Sequence, residues 1–368
     1  MKKVLIITNH SFMFWQFRRE LAQTMIQRGY EVVLACPLGD RVEDLRGLGC
    51  KLIDTPLNRR GMSPMEELKL YRLYRKLIEE QNPDMVVTYS IKPNVYAGSI
   101  CAKLGIPYCV NVQGLGTAFQ KPAMAMAASA MYRFALKKAK VVFFENEENA
   151  AYFRDHKITD PGKMVVLRGA GVNMEHYALQ PYPENDCVHF LYLGRMMREK
   201  GIEELFSAVR RLHQEGYRFF LDLVGFYEDA YGEQVEQLEK LGISKFHGFQ
   251  IEARPYYAAA DCVVLPSYHE GMSNVLLEAA SIGRPLITSD IPGCREAVEP
   301  GVTGYTCPVM DGDGLYEAMK KFLSLTWEQR KDMGLKGNAR MRAMFNKTDV
   351  VEKTYQAIFE ENAYETVH

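Results

Sequence analysis

The amino-acid sequence predicts an α/β protein with two doubly wound parallel sheets in tandem. Short β-branched runs alternate with longer amphipathic segments along the chain, which is the pattern of βαβ units. The length of 368 residues suits two domains. A polar, proline-containing stretch, 177–187, separates two series of such runs, so we place the domain boundary near Gly171.

The first series predicts an N-terminal domain, residues 1–171. Its predicted strands are Lys3–Thr8, Glu31–Ala35, Asp84–Thr88, Tyr108–Val112, Val141–Phe144 and Met164–Leu167. Helices are predicted at Trp15–Arg28, which Gly29 ends, and at Pro64–Glu80, which begins with proline. Glycine just past a helix and proline in its first turn are the preferred residues at those positions.

The second series predicts a C-terminal domain, 172–347, followed by a terminal segment, 348–368. Its predicted strands are His189–Leu193, Phe219–Val224, Lys245–His247, Cys262–Leu265 and Pro285–Thr288. Ligands of doubly wound sheets bind beyond the carboxyl ends of the strands, so two such domains are expected to face a central cleft. The terminal helix, 348–359, has an apolar stripe. The sequence leaves open which domain it packs on, the N-terminal domain being one choice.

Composition and charge exclude several classes of protein. Lysine and arginine (45) nearly cancel aspartate and glutamate (46), so no global basic field attracts nucleic acid. The eight cysteines lack metal-ligand spacing, which favours buried, reduced thiols. The first apolar run is too short for a signal peptide, and no run approaches the ~18 residues of a membrane span. We therefore expect a cytoplasmic protein, with peripheral contact to the cytoplasmic face of a membrane left open.

The usual dinucleotide fingerprint is missing after the first predicted strand. That strand is followed by Asn9-His10-Ser11-Phe12 and not by G-x-G-x-x-G, which argues against a nicotinamide dehydrogenase. The sequence Gly114-Leu115-Gly116 follows a later strand. A lone G-x-G is as typical of a tight turn as of a phosphate-binding loop.

The strongest constellation of polar residues is the run 266–279, PSYHEGMSNVLLEA. It follows the apolar strand CVVL and leads into an apolar-faced helix, which predicts a strand-to-helix loop and a helix N-terminus. The residues of this turn are Gly271, Met272, Ser273 and Asn274. Free amides at a helix N-terminus form an anion site. Glu270 and Glu278 bracket it. Because a helical rise separates them along one element, these carboxylates are better suited to accept hydrogen bonds from sugar hydroxyls than to act as the acid–base pair of a hydrolase.

A second loop supplies cations to the same predicted domain. The strand HFLYL leads into Gly194, Arg195 and, five residues later, Lys200. The planar arginine guanidinium can bind two phosphate oxygens at once, and the lysine ammonium acts as a point charge. Together they can hold a diphosphate. Taken separately, each feature more often has no binding role. Two such cations are more often solvated surface charges, and glutamates at a helix start more often interact only with the helix dipole. Their combination at two strand ends of one domain predicts a donor site for a nucleotide diphosphate.

The sequence Asp311-Gly312-Asp313 could suggest a metal site. It precedes a predicted helix, 315–323, so a turn with a helix cap is the favoured interpretation. We predict no metal ligand and no cofactor besides the donor substrate.

The segments 194–201, 266–279 and 285–296 resemble the retaining glycosyltransferases of family 4. The resemblance implies the GT-B architecture of two Rossmann-like domains. In the first half, 88–94 (TYSIKPN) and 114–116 resemble a narrower group. That group comprises bacterial enzymes that add N-acetylgalactosamine or related sugars to undecaprenyl-diphosphate-linked acceptors.

The resemblance also implies roles for individual residues. Arg195 and Lys200 would contact the donor diphosphate, Glu270 the donor sugar and Glu278 the ribose, and Phe249 would lie beside the nucleobase. Backbone amides of 271–274 would bind sugar or phosphate, with Gly194 at the start of the cationic loop. Many family members place a histidine near the donor sugar from the N-terminal domain. Here that turn reads Asn111-Val112-Gln113-Gly114, so the contact is absent or made by another group.

The N-terminal domain is expected to bind the acceptor, a lipid-linked saccharide. Lys92, Gln113 and His10 follow predicted strands and are the acceptor-side candidates. The segment 121–140 is apolar and basic, with no acidic residue. It suits a helix that lies on an anionic membrane leaflet, and it suits equally an ordinary helix with a cationic last turn.

Two other functions stay open at this point. A nucleotide-sugar epimerase of the same fold would convert its donor without an acceptor, and a non-catalytic protein would bind the nucleotide sugar only. The favoured hypothesis is a retaining glycosyltransferase that uses a UDP-sugar in polysaccharide or glycan biosynthesis.

Overall fold

The computed structural model describes residues 1–56, 63–115, 119 and 122–360. The chain divides into two compact units. Unit 1 comprises Met1–Ala170 together with the segment that begins at Asp349, and unit 2 comprises Gly171–Thr348. Each unit contains one parallel sheet covered by helices.

Unit 1 is built on a seven-stranded sheet in the order β3-β2-β1-β4-β5-β6-β7. The strands are β1 (Lys3–Ile7), β2 (Glu31–Cys36), β3 (Lys51–Asp54), β4 (Met85–Tyr89), β5 (Tyr108–Val112), β6 (Val141–Phe144) and β7 (Met164–Val166). The helices are α1 (Ser11–Gln27), α2 (Val42–Gly47), α3 (Pro64–Gln81), α4 (Ile91–Leu104), α5 (Pro122–Leu136) and α6 (Glu147–Asp155). All neighbouring strands pair in parallel.

Unit 2 is built on a six-stranded sheet in the order β10-β9-β8-β11-β12-β13. The strands are β8 (Val188–Leu193), β9 (Phe219–Val224), β10 (Ser244–Phe246), β11 (Cys262–Leu265), β12 (Leu286–Ser289) and β13 (Gly304–Cys307). The helices are α7 (Ile202–Gln214), α8 (Gly232–Lys240), α9 (Arg254–Ala259), α10 (Asn274–Ile282), α11 (Gly312–Leu323) and α12 (Trp327–Met344). The predicted fold class, two doubly wound parallel sheets, is confirmed.

The central strands read as continuous apolar runs because helices cover both faces of a parallel sheet. In β1, for example, Val4 to Ile7 are all fully buried. Two strands escaped the prediction. The edge strand β3 has exposed ends and no fully buried residue, and β13 begins at a glycine, so neither carries a strong apolar pattern.

The terminal helix α13 (Lys347–Phe359) packs on unit 1 from Asp349 onward. Tyr355 and Ile358 are buried in the unit 1 core. Arg28 forms a 2.6 Å ion pair with Glu352, and the Lys140 ammonium donates to the Ile358 carbonyl at 2.9 Å. These contacts tie the end of the described chain to unit 1.

The eight cysteines are unpaired, and all but the half-buried Cys187 are buried. Arg284 is a fully buried cation. Its guanidinium donates to the carbonyls of Tyr257, Ala258 and Pro181, and burial lowers its pKa to about 10. Arg284 thus joins the stretch before β8 to the end of α9.

Candidate active site

Three loops meet at the carboxyl edge of the unit 2 sheet. They follow β8, β11 and β12, and two glycines allow their close contact. A Cβ at Gly201 (φ +69°) would lie 2.0 Å from the Pro266 carbonyl oxygen, and one at Gly293 (φ +82°) would lie 2.6 Å from the Gly271 carbonyl oxygen. Because any side chain would collide with backbone here, the packing of these loops requires glycine.

Lys200 and Glu270 form an ion pair across two of these loops. The Lys200 ammonium lies 2.5 Å from Glu270 Oε1, and the Ser267 hydroxyl donates to the same oxygen at 2.9 Å. The two side chains are only 18% and 14% exposed. Partial burial strengthens their electrostatic interaction relative to a pair in bulk water. The structure therefore brings two of the predicted site residues into direct contact.

Arg195 lies on the same loop as Lys200 but has another partner. Its guanidinium contacts Glu228, in the loop after β9, at 3.4 Å, and its side chain is 44% exposed. The Arg195 carbonyl accepts a hydrogen bond from Tyr192 at 2.7 Å. The adjoining Gly194 donates its amide to the Val224 carbonyl, which extends the β8–β9 pairing by one residue.

The N-terminus of α10 adjoins the Lys200–Glu270 pair in sequence. The helix begins at Asn274, within the predicted stretch 271–274, and Ser273 is its N-cap residue. The Ser273 amide donates to the Gly293 carbonyl at 2.8 Å, and Met272 is buried beneath the turn. The first-turn amides of a helix lack an intrahelical acceptor, so α10 presents donors suited to an anion.

Glu278 lies in α10 with different neighbours from Glu270. It is buried, and Tyr257 in α9 donates to its Oε2 at 2.9 Å. Burial raises the pKa of Glu278 to about 7, although hydrogen bonds from Tyr257 and Tyr177 and the charge of Lys347 act in the opposite direction. The two glutamates thus have separate surroundings, Glu270 in the loop before α10 and Glu278 within the helix.

Two exposed aromatic rings stand at the carboxyl ends of β9 and β10. Phe226 is 44% exposed and Phe249 is 56% exposed. Their ring centroids lie 6.1 Å apart at an interplanar angle of 69°. The Gly225 amide donates to the Gly248 carbonyl at 2.9 Å, which joins the loops that carry them. Exposed aromatic faces of this kind can stack on a planar ring.

Unit 1 contains a cavity of about 270 Å³ at the carboxyl edge of its own sheet. Asn9 after β1, Ser90 after β4 and Gln113 after β5 line it together with Lys92. Ser90 has a φ of +76°, an unfavourable conformation for a residue with a side chain. The Ser90 hydroxyl lies 3.5 Å from Gln113 Oε1. This cavity lies at the switch point between β1 and β4, where doubly wound sheets bind ligands.

The acceptor-side candidates fall in different places. Lys92 and Gln113 line the cavity, and Lys92 forms a 2.7 Å ion pair with Glu67 of α3. His10 is the N-cap residue of α1, and its ring meets Phe12 edge to face. Gly114 also lines the cavity, whereas Gly116 lies outside the described residues.

Asp311 is a helix cap, as predicted. Its side chain accepts a hydrogen bond from the Gly314 amide at 2.9 Å at the start of α11. Asp313 pairs with Arg211 at 2.9 Å. Asp311 therefore caps α11, and Asp313 takes part in an exposed ion pair.

The segment 121–140 contains α5 (Pro122–Leu136) and the short stretch after it, with Lys121 outside the described residues. The helix leaves several large apolar side chains exposed, namely Met124, Met126, Met131 and Phe134. The Arg133 guanidinium donates to the carbonyls of His156 and Lys157 at the end of α6. Within the part of the chain that the structure describes, no helix is long and apolar enough to cross a membrane.

Several partners of the site residues escaped the sequence analysis. They are Ser267, Glu228, Tyr257, Glu67, Ser90 and Phe226. Ser267 was within reach of prediction, because it belongs to the same loop as Glu270. Glu67 and Tyr257 lie on other helices than their partners Lys92 and Glu278. No local sequence pattern connects residues on separate elements.

The fold and two family models define a glycosyltransferase of the GT-B type. Each unit is a doubly wound sheet, and the cationic, amide-rich loops of unit 2 suit a nucleotide diphosphate. Two family models match the chain in tandem. The model described as "Glycosyl transferase 4-like domain" matches residues 15–170, and the model described as "Glycosyl transferases group 1" matches residues 187–324. The chain belongs to the family 4 glycosyltransferases.

Individual relatives agree with this assignment. The chain is 24% identical over 366 residues to the N,N'-diacetylbacillosaminyl-diphospho-undecaprenol alpha-1,3-N-acetylgalactosaminyltransferase of Campylobacter jejuni, with 94% of this chain and 95% of that protein covered. The solved structure of Anabaena HepE in complex with UDP and glucose is similar with a TM-score of 0.79 at 16% identity, and covers 97% of this chain and 99% of that one. A glycosyltransferase from Rickettsia africae has a TM-score of 0.77 at 17% identity, with 98% and 99% covered.

Proposed function

We propose that the protein transfers N-acetylgalactosamine or a related hexose from a UDP-sugar to a lipid-linked saccharide, with retention of the anomeric configuration. The observation that carries the proposal is the Lys200–Glu270 pair, held at 2.5 Å on loops packed against each other. The Campylobacter relative is named for transfer of this sugar to a diphospho-undecaprenol-linked acceptor, and the HepE structure contains UDP and glucose.

The donor diphosphate would bind beside Lys200. A lysine ammonium has three N–H donors, so Lys200 can keep its contact with Glu270 and still donate to phosphate oxygens. Arg195 and the first-turn amides of α10 would add positive charge. Glu270 would accept from donor-sugar hydroxyls and Glu278 from the ribose. The nucleobase would lie against Phe249.

The reaction develops negative charge on the departing diphosphate. The bond between the anomeric carbon and the diphosphate oxygen breaks, and the acceptor hydroxyl oxygen bonds to that carbon on the same face. The released phosphate oxygen takes the acceptor proton, so no separate general base is required. Cations and amides held in place before the reaction stabilise such charge most effectively. The proposed mechanism assigns this neutralisation to the chain's own residues and includes no metal ion.

The acceptor would bind in the unit 1 cavity. Lys92 supplies a cation there, and Gln113 and Ser90 supply groups that hydrogen-bond to sugar or phosphate. His10, beside the cavity residue Asn9, is a further acceptor-side candidate.

We also propose that α5 rests on the cytoplasmic leaflet of a membrane that carries the acceptor. Its exposed methionines and Phe134 would insert among the headgroups. The exposed Lys137 and Lys138 follow the helix and would face anionic lipid.

The test is transfer from a panel of UDP-sugars to a short-chain polyprenyl-diphosphate saccharide. Wild type should form a product that retains the donor's anomeric configuration, and Glu270→Gln should abolish transfer while UDP binding persists. Glu199→Gln, an exposed carboxylate on the loop that carries Lys200, is the matched control and should be active. Donor turnover without an acceptor would assign an epimerase instead. Full activity of Glu270→Gln would refute the assigned site.

A further inference from the structure

Apart from Lys92, the lining of a second and larger cavity in unit 1 takes no part in the proposed donor or acceptor contacts. It has a volume of about 530 Å³, within the range of about 300–1,000 Å³ that small-molecule sites occupy. Its lining includes Pro56 after β3, Leu70 and Leu73 of α3, and Lys92 of α4. We call it the α3–α4 cavity.

Lys92 lines both the α3–α4 cavity and the smaller cavity at the strand ends. Its ammonium is held by Glu67 Oε1 at 2.7 Å, and Tyr96 donates to the other oxygen of Glu67 at 2.6 Å. A ligand with an anion at Lys92 could therefore extend into both cavities at once. One end would meet the polar groups at the strand ends, and the other would enter the α3–α4 cavity.

The chemistry of the α3–α4 cavity favours an apolar end. Pro56, Leu70 and Leu73 provide hydrocarbon surface, and the charge of Glu67 is compensated by Lys92 and Tyr96. The remaining charged residues of the lining, Glu66 and Lys69, have opposite signs and lie three positions apart on α3. A second anionic group would be repelled by the carboxylates of Glu66 and Glu67. A hydrocarbon chain would bury apolar surface and leave the Lys92–Glu67 ion pair intact.

The apolar character continues along α3 beyond the cavity. Met65 and Leu68, in the first turns of the helix, are 68% and 49% exposed. Large exposed apolar side chains beside an apolar cavity are typical of a surface that is covered by a partner or ligand. A long hydrocarbon chain that leaves the cavity could contact both residues.

We infer that the α3–α4 cavity binds the first isoprenoid units of the acceptor's lipid, with its phosphate at Lys92 and its saccharide in the smaller cavity. This inference rests on the proposed function, because it presumes a polyprenyl-diphosphate acceptor. It assigns to α3 the discrimination between a lipid-linked saccharide and the same saccharide diphosphate without its lipid.

The test compares acceptors that share one saccharide diphosphate and differ only in the prenyl chain: none, ten carbons and twenty carbons. Wild type should show an acceptor KM that falls at least ~10-fold from the chain-free compound to the longest. Leu73→Glu should remove that dependence and leave the chain-free acceptor and the KM for the UDP-sugar unchanged. Leu104→Glu, the same substitution at the exposed last residue of α4 and outside the cavity lining, is the matched control in detergent-free solution.

A second variant and a binding measurement keep the test decisive. Leu73→Trp fills the cavity with an apolar side chain and should also remove the chain-length dependence, which separates blocking from a charge effect. Binding of a fluorescent farnesyl diphosphate probe does not require transfer. Wild type and Leu104→Glu should bind the probe, and both Leu73 variants should bind it at least ~10-fold more weakly.

The possible failures are distinguishable. If wild type transfers sugar with no dependence on chain length, or if the Leu73 variants weaken the chain-free acceptor equally, the lipid site is wrong and a saccharide subsite replaces it. Absence of probe binding by wild type also overturns the lipid site. If the probe binds but no lipid-linked saccharide accepts sugar, the proposed function fails instead.

Discussion

The two units place a lysine–glutamate pair near the same point of similarly ordered sheets, yet they hold the pair in different ways. In unit 2, Lys200 and Glu270 lie on loops whose backbones touch at Gly201 and Gly293. In unit 1, Lys92 is held by Glu67 through long side chains from two helices, beside open cavities. Loops fixed by backbone contact can hold charged groups in one arrangement, which suits the stabilisation of a transition state. A pair held by long side chains can rearrange, which suits a site that receives different ligands.

The largest effect should come from removing the preorganised cation. Lys200→Ala should lower kcat about 10²- to 10³-fold, as the loss of one transition-state donor does in other enzymes. Steady-state kinetics with saturating UDP-sugar measures this. Arg198→Ala, on the same loop with a 70% exposed side chain, is the control and should stay within a few-fold of wild type. Equal losses in both variants would mean that the loop's charge and not the Lys200 contact matters.

The next prediction tests the backbone contact directly. Gly201→Ala introduces a Cβ 2.0 Å from the Pro266 carbonyl oxygen, so the loops must separate, and UDP affinity should fall at least ~10-fold. Isothermal titration with UDP measures the change. Gly216 has a similar φ of +80° with nothing within 4 Å, and Gly216→Ala should cost only about 1 kcal/mol of stability with UDP affinity intact. If both variants bind UDP normally, the contact does not organise the site.

The buried carboxyl group of unit 2 predicts a pH dependence of stability. Burial raises the pKa of Glu278 from 4.5 to about 7, so the folded state holds a proton that the unfolded chain has released above about pH 4.5. Its contribution to stability is full below pH 4.5 and is lost as pH rises through 7, by up to about 3 kcal/mol at about 1.4 kcal/mol per pKa unit.

Urea unfolding of wild type and Glu278→Gln at pH 5 and pH 8 measures this contribution. The difference in unfolding free energy between the two pH values should be smaller in the variant, because glutamine does not titrate. An identical pH dependence in both proteins would show that Glu278 has an ordinary pKa and is accessible to water.

The smallest effect concerns unit 1 and has the opposite sign. Ser90 has a φ of +76°, which glycine adopts without strain, so Ser90→Gly should stabilise the protein by about 1 kcal/mol. Thermal unfolding measures the gain. UDP affinity should be unchanged, because Ser90 lies in the unit 1 cavity lining. A lower melting temperature would mean that the Ser90 hydroxyl contributes more than its backbone strain costs.

The strand ends and the helix N-terminus that carry the predicted donor-side residues were located from the sequence because their signals are local. An apolar run followed by glycine and polar residues predicts a strand end, and the α10 N-terminus was predicted at its observed position. The surroundings of the predicted acceptor-side residues were predicted less completely. Lys92 and Gln113 line a cavity, but the α3–α4 cavity depends on packing between α3 and α4 that no periodicity reports.

The sequence by itself determined the two doubly wound sheets and the loops that carry Arg195, Lys200 and Glu270, because apolar periodicity and turn residues act over a few positions. The tertiary structure decided the partners. Lys200 meets Glu270 from 70 residues away, and Tyr257 meets Glu278 from 21. Such contacts depend on strand order and on helix packing, which bring distant side chains within hydrogen-bonding distance only after the chain has folded.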